Sequence, residues 1–331
     1  MSLLKKHLTP EIKESLKDKE TSNGVTLEKV INSGIENPDS SIGAYAGDEE
    51  SYGVFAPLFD PIISEYHDYD LNHNHRRDFD ESNLKIDSLD PSGERIISTR
   101  IRVARNIKGI PFPSAISKEE RADLEKKIVE ALNSLSGDLE GTYYPLEGME
   151  KSVQEQLIKD HFLFKQGDRF LESAGINRDW PQGRGIFHSA DKRFLVWISE
   201  EDSMRIISMQ NGDDLLEVFT RLSKAIHSLE ESLDFTYNDR LGYLASCPTN
   251  LGTALRGSFH VKLPNISKRP DFKEFCKSLG LQARGVHGEH SESEGGIYDI
   301  SNLRRLGVTE VEAIQTLYDG TKKLIELDEQ E

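Results

Sequence analysis

Cysteine is nearly absent from this chain. Cys247 and Cys276 are the only two, which supply neither a disulfide framework nor a cluster with metal-ligand spacing. A reducing cytosol is the compartment such usage fits. Long apolar runs are missing too: Phe194 to Ile198 is the longest, far short of the roughly 18 residues a membrane span needs. The first residues, MSLLKKHLTPEIKESLK, are polar and carry acids, unlike a signal peptide or an acid-poor transit peptide. Basic charge is also in deficit. Lys and Arg number 41 against 58 Asp and Glu, a formal net charge of −17, which argues against a nucleic-acid partner because such binding depends on neutralising phosphates. The expected phosphate-binding loops are absent as well, with no GxxxxGK[ST], no GxGxxG after a strand and no protein-kinase catalytic loop.

What is present divides unevenly. None of the 19 arginines precedes Arg76, and 17 follow residue 94, so a local anion site built on guanidinium groups belongs to the later part of the chain. Residues 1–85 read as a small helical unit. Thr9 before Pro10 is an N-cap signal, Thr26 opens a second helix that Gly34 can close, and Asp48–Tyr66 carries Val54, Phe55, Leu58, Ile62 and Ile63 at helical spacing. Pro57 and Pro61 should bend or restart that stretch. Asn37–Asp48 reads as a loop, and Tyr66–Ser82 as a solvated linker whose His67, His73 and His75 lack the companions of a metal site.

From residue 86 to 331 the pattern changes to strands mixed with long helices. Arg95–Arg105 alternates, placing Ile97, Thr99, Ile101 and Val103 on one face and Arg100 and Arg102 on the other. Ser117 with Glu120, and Thr309 with Glu312, are capping boxes, while Asp213 is the expected cap of a helix striped by Leu216, Phe219, Leu222, Ile226, Leu229 and Leu233. Phe194–Ile198, Met204–Met209, Leu241–Ala245, Ser258–Leu263, 281–285 and 296–301 read as strands, and Asp271–Leu279 as a helix closed by Gly280. The expected fold is α+β: a small all-α N-terminal domain, then a larger domain with a mostly antiparallel sheet flanked by helices.

Four segments carry a specific resemblance: STRIRVARN (98–106), WISEEDSMRIISMQ (197–210), CPTNLGTALRGSFHVKLP (247–264) and RGVHGEHSESEGGIYDISNLRRLG (284–307), supported by GTYYPLEGM, DHFLFKQGDRFL and GRGIFH. Together they resemble the ATP:guanidino phosphotransferases, the phosphagen kinases, over nearly the whole chain. The resemblance implies that Arg100, Arg102, Arg205, Arg256 and Arg284 hold the phosphates of MgATP, with Ser98, His188, His260 and His290 in the nucleotide site and Arg205 and Arg256 counted as catalytic. The magnesium is expected on the ATP phosphates, with no protein ligands of its own.

The same resemblance implies that Glu201 and Glu289 grip the acceptor guanidinium, with Glu200 a weaker candidate, and that Cys247 lies against it, where a neighbouring cation would favour thiolate. It also implies that Gly285–Gly296 folds over bound substrates as a lid. The loop from Asp39 to Tyr45 resembles the arginine kinase version and assigns Ser40, Ser41, Ile42 and Tyr45 to arginine binding. The implied reaction is MgATP + L-arginine ⇌ MgADP + phosphoarginine, an energy buffer run by a cytoplasmic monomer rather than a homodimer. Alternatives are the same chemistry on taurocyamine, lombricine or creatine, a protein-arginine kinase, and an inactive nucleotide-binding module. Ser203 and His287 depart from the family, where many members have histidine and arginine, and the N-terminal segment is short; none of these removes a phosphate arginine or an acceptor carboxylate.

Overall fold

A computed structural model describes residues 1–285 and 295–330. Helices α1 (Leu3–His7), α2 (Pro10–Leu16), α3 (Leu27–Glu36), α4 (Ser51–Val54) and α5 (Ala56–His67) form the N-terminal unit. The Thr9 and Thr26 side chains accept the Ile12 and Lys29 N–H groups, caps worth about 1 kcal/mol each. Pro57 falls in the first turn of α5, so the expected restart occurs at Ala56, while Pro61 is carried inside the helix. Gly34 does not close its helix: α3 runs on to Glu36, and Asn37 ends it. The glycine has another reason to be there, taken up below.

The linker is less solvated than its composition suggests. His67 Nε2 donates to the Pro248 carbonyl (2.8 Å), and His75 is buried with its Nδ1 accepting the Gly307 N–H (3.3 Å). Burial pushes both imidazoles down to about 4, so each is a neutral packing group.

Among the described residues the larger unit holds ten strands: β1 (Ile96–Arg105), β2 (Gly141–Pro145), β3 (Gly185–Ser189), β4 (Phe194–Ile198), β5 (Met204–Asn211), β6 (Tyr237–Asn238), β7 (Gly242–Tyr243), β8 (Leu255–Lys262), β9 (Leu281–Gly285) and β10 (Ile297–Asn302). Eight of them make one sheet in the order β2-β3-β4-β5-β1-β8-β10-β9, antiparallel at every described pairing. The expected strand at 241–245 shrinks to β7, a two-residue piece paired with β6. Helices α6 (Lys118–Leu132), α7 (Lys151–Lys159), α8 (Arg169–Ser173), α9 (Leu215–Glu230), α10 (Phe272–Ser278) and α11 (Glu310–Asp328) complete the chain. Both capping boxes form as expected, but Asp214, one residue later than anticipated, caps α9 by accepting the Glu217 N–H.

One face of the sheet is core. Ile101, Val103, Ile206, Phe259 and Ile300 pack with Phe219 and Leu222 of α9 and Ile314 and Leu317 of α11, each side chain contributing about 1.5–3 kcal/mol on full burial. The helical unit has its own core, and that core includes Cys247, Leu244 and Leu251 of the larger unit. The catalytic-looking segment around residue 247 is thereby built into the seam between the two units.

Candidate active site

The period-two alternation of strands turns a scattered set of arginines into a cluster. In the register of the sheet, Arg102 of β1 lies opposite Arg256 of β8, and Arg205 of β5 pairs with Ala104, two positions along the same face. Ser98 is opposite His260, His260 is opposite Asp299 of β10, and Asp299 is opposite Arg284 of β9. All of these fall on the face away from α9 and α11. All but Arg205 and Ala104 line a cleft of about 270 Å³, together with Arg100, His161, Met209 and Ser258.

The cleft is short of negative charge. Burial, then Arg256 and Arg205, push the Arg100 guanidinium down to about 10. Burial, then Arg205, Arg256 and Arg100, push Arg102 well below the usual range. Arg100 Nε and Nη2 are buried and hydrogen-bond to nothing among the described residues. Trp197 lies beneath both Arg100 and Arg205, with guanidinium carbons 5.6 and 5.5 Å from its ring. Asp299 accepts from Arg256 Nη2 (2.7 Å) and faces His260 Nε2 (3.4 Å). Burial alone would raise its carboxyl, but Arg256 and His260 hold it well below the carboxylate range. Such a cage is complementary to a compact polyanion.

A second cleft of about 310 Å³ adjoins the first and shares Arg102 and Arg284 with it. Its other lining residues include Ser40, Ser41, Ile42 and Tyr45 from the helical unit, and Glu201, Arg205, Cys247, Asn250 and Arg305 from the larger one. Glu201 sits in the turn between β4 and β5, where Ser199 takes a left-handed conformation (φ 56°). The neighbouring Asp202 anchors that turn from below, accepting from Asn106 Nδ2 (2.8 Å) and the Ser246 N–H (2.6 Å). Asn106 Oδ1 in turn accepts the Ser203 N–H and hydroxyl (2.9 and 3.0 Å). Arg205 reaches Glu200 (3.2 Å) and Glu201 (3.5 Å).

Burial, then Asp202 and Glu200, raise the Glu201 carboxyl to about 8. The sign of the linkage follows. A carboxyl with a raised native pKa holds its proton in the folded chain after the unfolded chain has lost it, so stability falls as pH rises from 4.5 towards 8. The ligand-free protein is therefore expected to lose melting temperature across that window, with a shallower loss for Glu201→Gln. Parallel thermal-melt profiles of the two proteins check this.

The thiolate expected at Cys247 depends on a bound cation, and without one the thiol is held in its neutral form. Burial, then the charge of Glu201, push its thiol up to about 12, while the Thr249 hydroxyl donates to Sγ (3.2 Å). Both the thiol and Glu201 thus sit in forms that a positively charged ligand would reverse.

Ser98, Arg100, Arg102, Arg205, Arg256, Arg284, His260, Glu201, Cys247, Ser40, Ser41, Ile42 and Tyr45 are brought together in the two adjoining clefts. His188 shares the arginine face but lies on β3, hydrogen-bonded to the Ser189 carbonyl (2.8 Å) and stacked on Tyr144 (4.9 Å), and does not line either cleft. Glu289, His290 and most of the Gly285–Gly296 loop lie outside the described residues. Sequence reasoning missed Trp197, Asp299, Arg305, Asn106, Asp202 and Ser246. Trp197, Asp202, Asp299, Arg305 and Asn106 all fall inside the quoted motifs, and strand register is what puts Asp299 opposite Arg284.

Sequence comparison places these features in a family. Residues 123–331 match the family described as ATP:guanido phosphotransferase, C-terminal catalytic domain, and residues 1–64 match its N-terminal domain. An arginine kinase of Anthopleura japonica is 54% identical over 331 residues, 99% of this chain but 46% of that protein. Arginine kinase Lit v 2 of Penaeus vannamei is 51% identical over 332 residues, 99% of this chain and 93% of that protein. Among solved structures, a duplicated taurocyamine kinase from Schistosoma mansoni with bound transition-state-analogue components superposes with TM-score 0.94 at 45% identity, over 99% of this chain and 46% of that one. A lombricine kinase structure gives TM-score 0.93 at 42% identity, over 99% and 92%. The chain spans about half the length of the first and third of these relatives and nearly all of the other two. The chain belongs to the ATP:guanidino phosphotransferase family, the phosphagen kinases.

Proposed function

We propose that this chain transfers the γ-phosphoryl group of MgATP reversibly to the guanidino nitrogen of free L-arginine. The observation that carries the reading is the sharing of Arg102 and Arg284 by an anion cage and an acid-lined cleft. The triphosphate lies on Arg100, Arg102, Arg205, Arg256 and Arg284, with Ser98, His188, His260 and His290 serving the rest of the nucleotide. Magnesium enters as part of the substrate, on the phosphate oxygens. Glu201 and Glu289 hold the guanidinium from two sides, and Cys247 packs against it. Ser40, Ser41, Ile42 and Tyr45 receive its α-carboxylate and α-amino groups.

The O–P bond to ADP breaks as the N–P bond forms in line, and the guanidinium proton leaves to a carboxylate or to water. Transfer of this kind needs little covalent chemistry from the protein and much alignment and charge stabilisation. Arg102, at the shared boundary, stands where charge on the moving group develops. Direct transfer needs no phosphocysteine. Cys247→Ala is expected to keep measurable turnover, falling by less than about 10²-fold, the lower end of a positioned acid–base contribution; steady-state kinetics at saturating substrates read this.

The reading extends to a division at 1–85 and 86–331, an energy-buffering role, a cytoplasmic site and a monomeric state; no helix among the described residues is long and apolar enough to cross a membrane. Names borne by the similar structures favour taurocyamine or lombricine as second readings. Coupled ADP release with arginine, taurocyamine, lombricine and creatine in parallel decides the acceptor. Arginine is expected to give the highest kcat/KM, and a higher value for another guanidine would replace it.

A further inference from the structure

The acceptor loop is braced from outside by three main-chain donors. Leu3 N–H donates to the Ser41 carbonyl (2.9 Å), Leu4 N–H to the Ile42 carbonyl (2.9 Å), and Gly34 N–H to the Gly43 carbonyl (3.0 Å). Leu3 and Leu4 open helix α1, so their N–H groups are donors the helix itself leaves over. The third brace requires glycine. A Cβ at position 34 would stand 2.5 Å from the Gly43 oxygen and 2.6 Å from its Cα, contacts that no rotamer change relieves because both atoms are backbone. Gly43 itself is left-handed (φ 85°) and leaves only 3.0 Å for a Cβ against Leu4.

These braces have a consequence for the cleft. A trans peptide points its carbonyl and the following N–H in opposite directions. With the carbonyls of residues 41, 42 and 43 tied outward, the N–H groups of Ile42, Gly43 and Ala44 turn the other way, towards the side on which Ser40, Ser41, Ile42 and Tyr45 line the acceptor cleft. Among the described residues, the main-chain N–H groups of 41 to 44 donate to no protein acceptor, although 42, 43 and 44 are buried. Main-chain N–H groups that face a cleft with no protein acceptor are open to an anionic one, and a carboxylate supplies it.

We infer that Gly34 and the first turn of α1, Leu3 above all, are positioning residues that set the loop's depth and so determine specificity for a guanidine bearing a carboxylate. The inference rests on the proposed acceptor reading and adds residues outside the cleft to it. Gly34→Ala pushes the loop off its helix. Leu3→Pro removes a single N–H at a helix position that tolerates proline, and Leu3→Ala keeps that N–H.

The test compares L-arginine as substrate with agmatine, the same guanidine without a carboxylate, as a competitive inhibitor. For Gly34→Ala we expect KM for arginine to rise about tenfold or more, the scale of a charge-assisted hydrogen bond. The kcat at saturating arginine, the KM for MgATP and the agmatine Ki should each stay within about threefold, because they do not depend on the carboxylate contact. Leu3→Pro should raise KM for arginine by about threefold or more and Leu3→Ala should not, a lost neutral hydrogen bond being worth about 1 kcal/mol. Unchanged KM for arginine in both folded variants overturns the inference, as does equal weakening of arginine, agmatine and MgATP. Should Gly34→Ala fail to fold, the two Leu3 variants decide alone. A wild-type protein with no arginine-dependent ADP release would instead sink the acceptor reading itself.

Discussion

Arg102→Met is expected to lower kcat by about 10³–10⁵, the range associated with a guanidinium acting on a transferring phosphoryl group. The same substitution should raise the melting temperature of the ligand-free protein. Both outcomes follow from one fact: Arg102 is half-buried, and desolvation, then Arg205, Arg256 and Arg100, push its guanidinium well below the usual range. In the empty protein that arrangement is repulsive, and removing one cation while keeping an apolar stem of similar bulk relieves it. With a triphosphate present, the same repulsion becomes binding and transition-state stabilisation. Adding MgATP should therefore narrow or reverse the difference in melting temperature. Turnover within tenfold of wild type would show that Arg102 does not stand on the transferred group.

Glu201→Gln should reduce kcat by about 10²–10⁴, the span of a positioned acid–base group, while leaving MgADP affinity nearly unchanged. Nucleotide affinity is spared because Glu201 lines the acceptor cleft and not the anion cage. The substitution also removes a titration. With the wild-type carboxyl raised to about 8, binding a cationic acceptor below that pH must first expel a proton, so KM for arginine should fall as pH rises towards 8. In the glutamine variant this dependence should flatten. Undiminished turnover, or an unchanged pH profile, would remove Glu201 from the role given to it. The partners of the turn's other two acids explain why they do not substitute for it. Asp202 is committed to Asn106 and Ser246 beneath the turn, and Glu200 faces Arg205.

Local signals in the sequence carried far. The two capping boxes and the alternating strand that aims Arg100 and Arg102 to one side were legible because each depends on residues within a few positions of one another. The arginine cage became legible only through family motifs, since Arg102, Arg205, Arg256 and Arg284 meet through strand order, which spacing does not encode. Gly34 illustrates a different limit. A glycine near a helix end reads as a stop, yet here it is a gap that admits a backbone from another segment. The raised thiol of Cys247 is not legible in the sequence for an electrostatic reason: burial, then the Glu201 charge, act on it in the ligand-free chain, whereas the cation of the expectation is the acceptor guanidinium. His67 and His75 read as solvated groups in the sequence because polar composition says nothing about docking against Pro248 and Gly307.

The central claim is that one positively charged boundary, with Arg102 in it, separates a nucleotide compartment from an acceptor compartment. A crystal structure with a non-hydrolysable MgATP analogue and L-arginine bound together tests it most directly. The account requires the terminal phosphate on Arg102, facing a guanidinium held against Glu201 and Cys247, with the carboxylate on the main chain of residues 42–44. A nucleotide whose phosphates avoid Arg100, Arg102, Arg205 and Arg256, or an arginine bound away from Glu201, would contradict it.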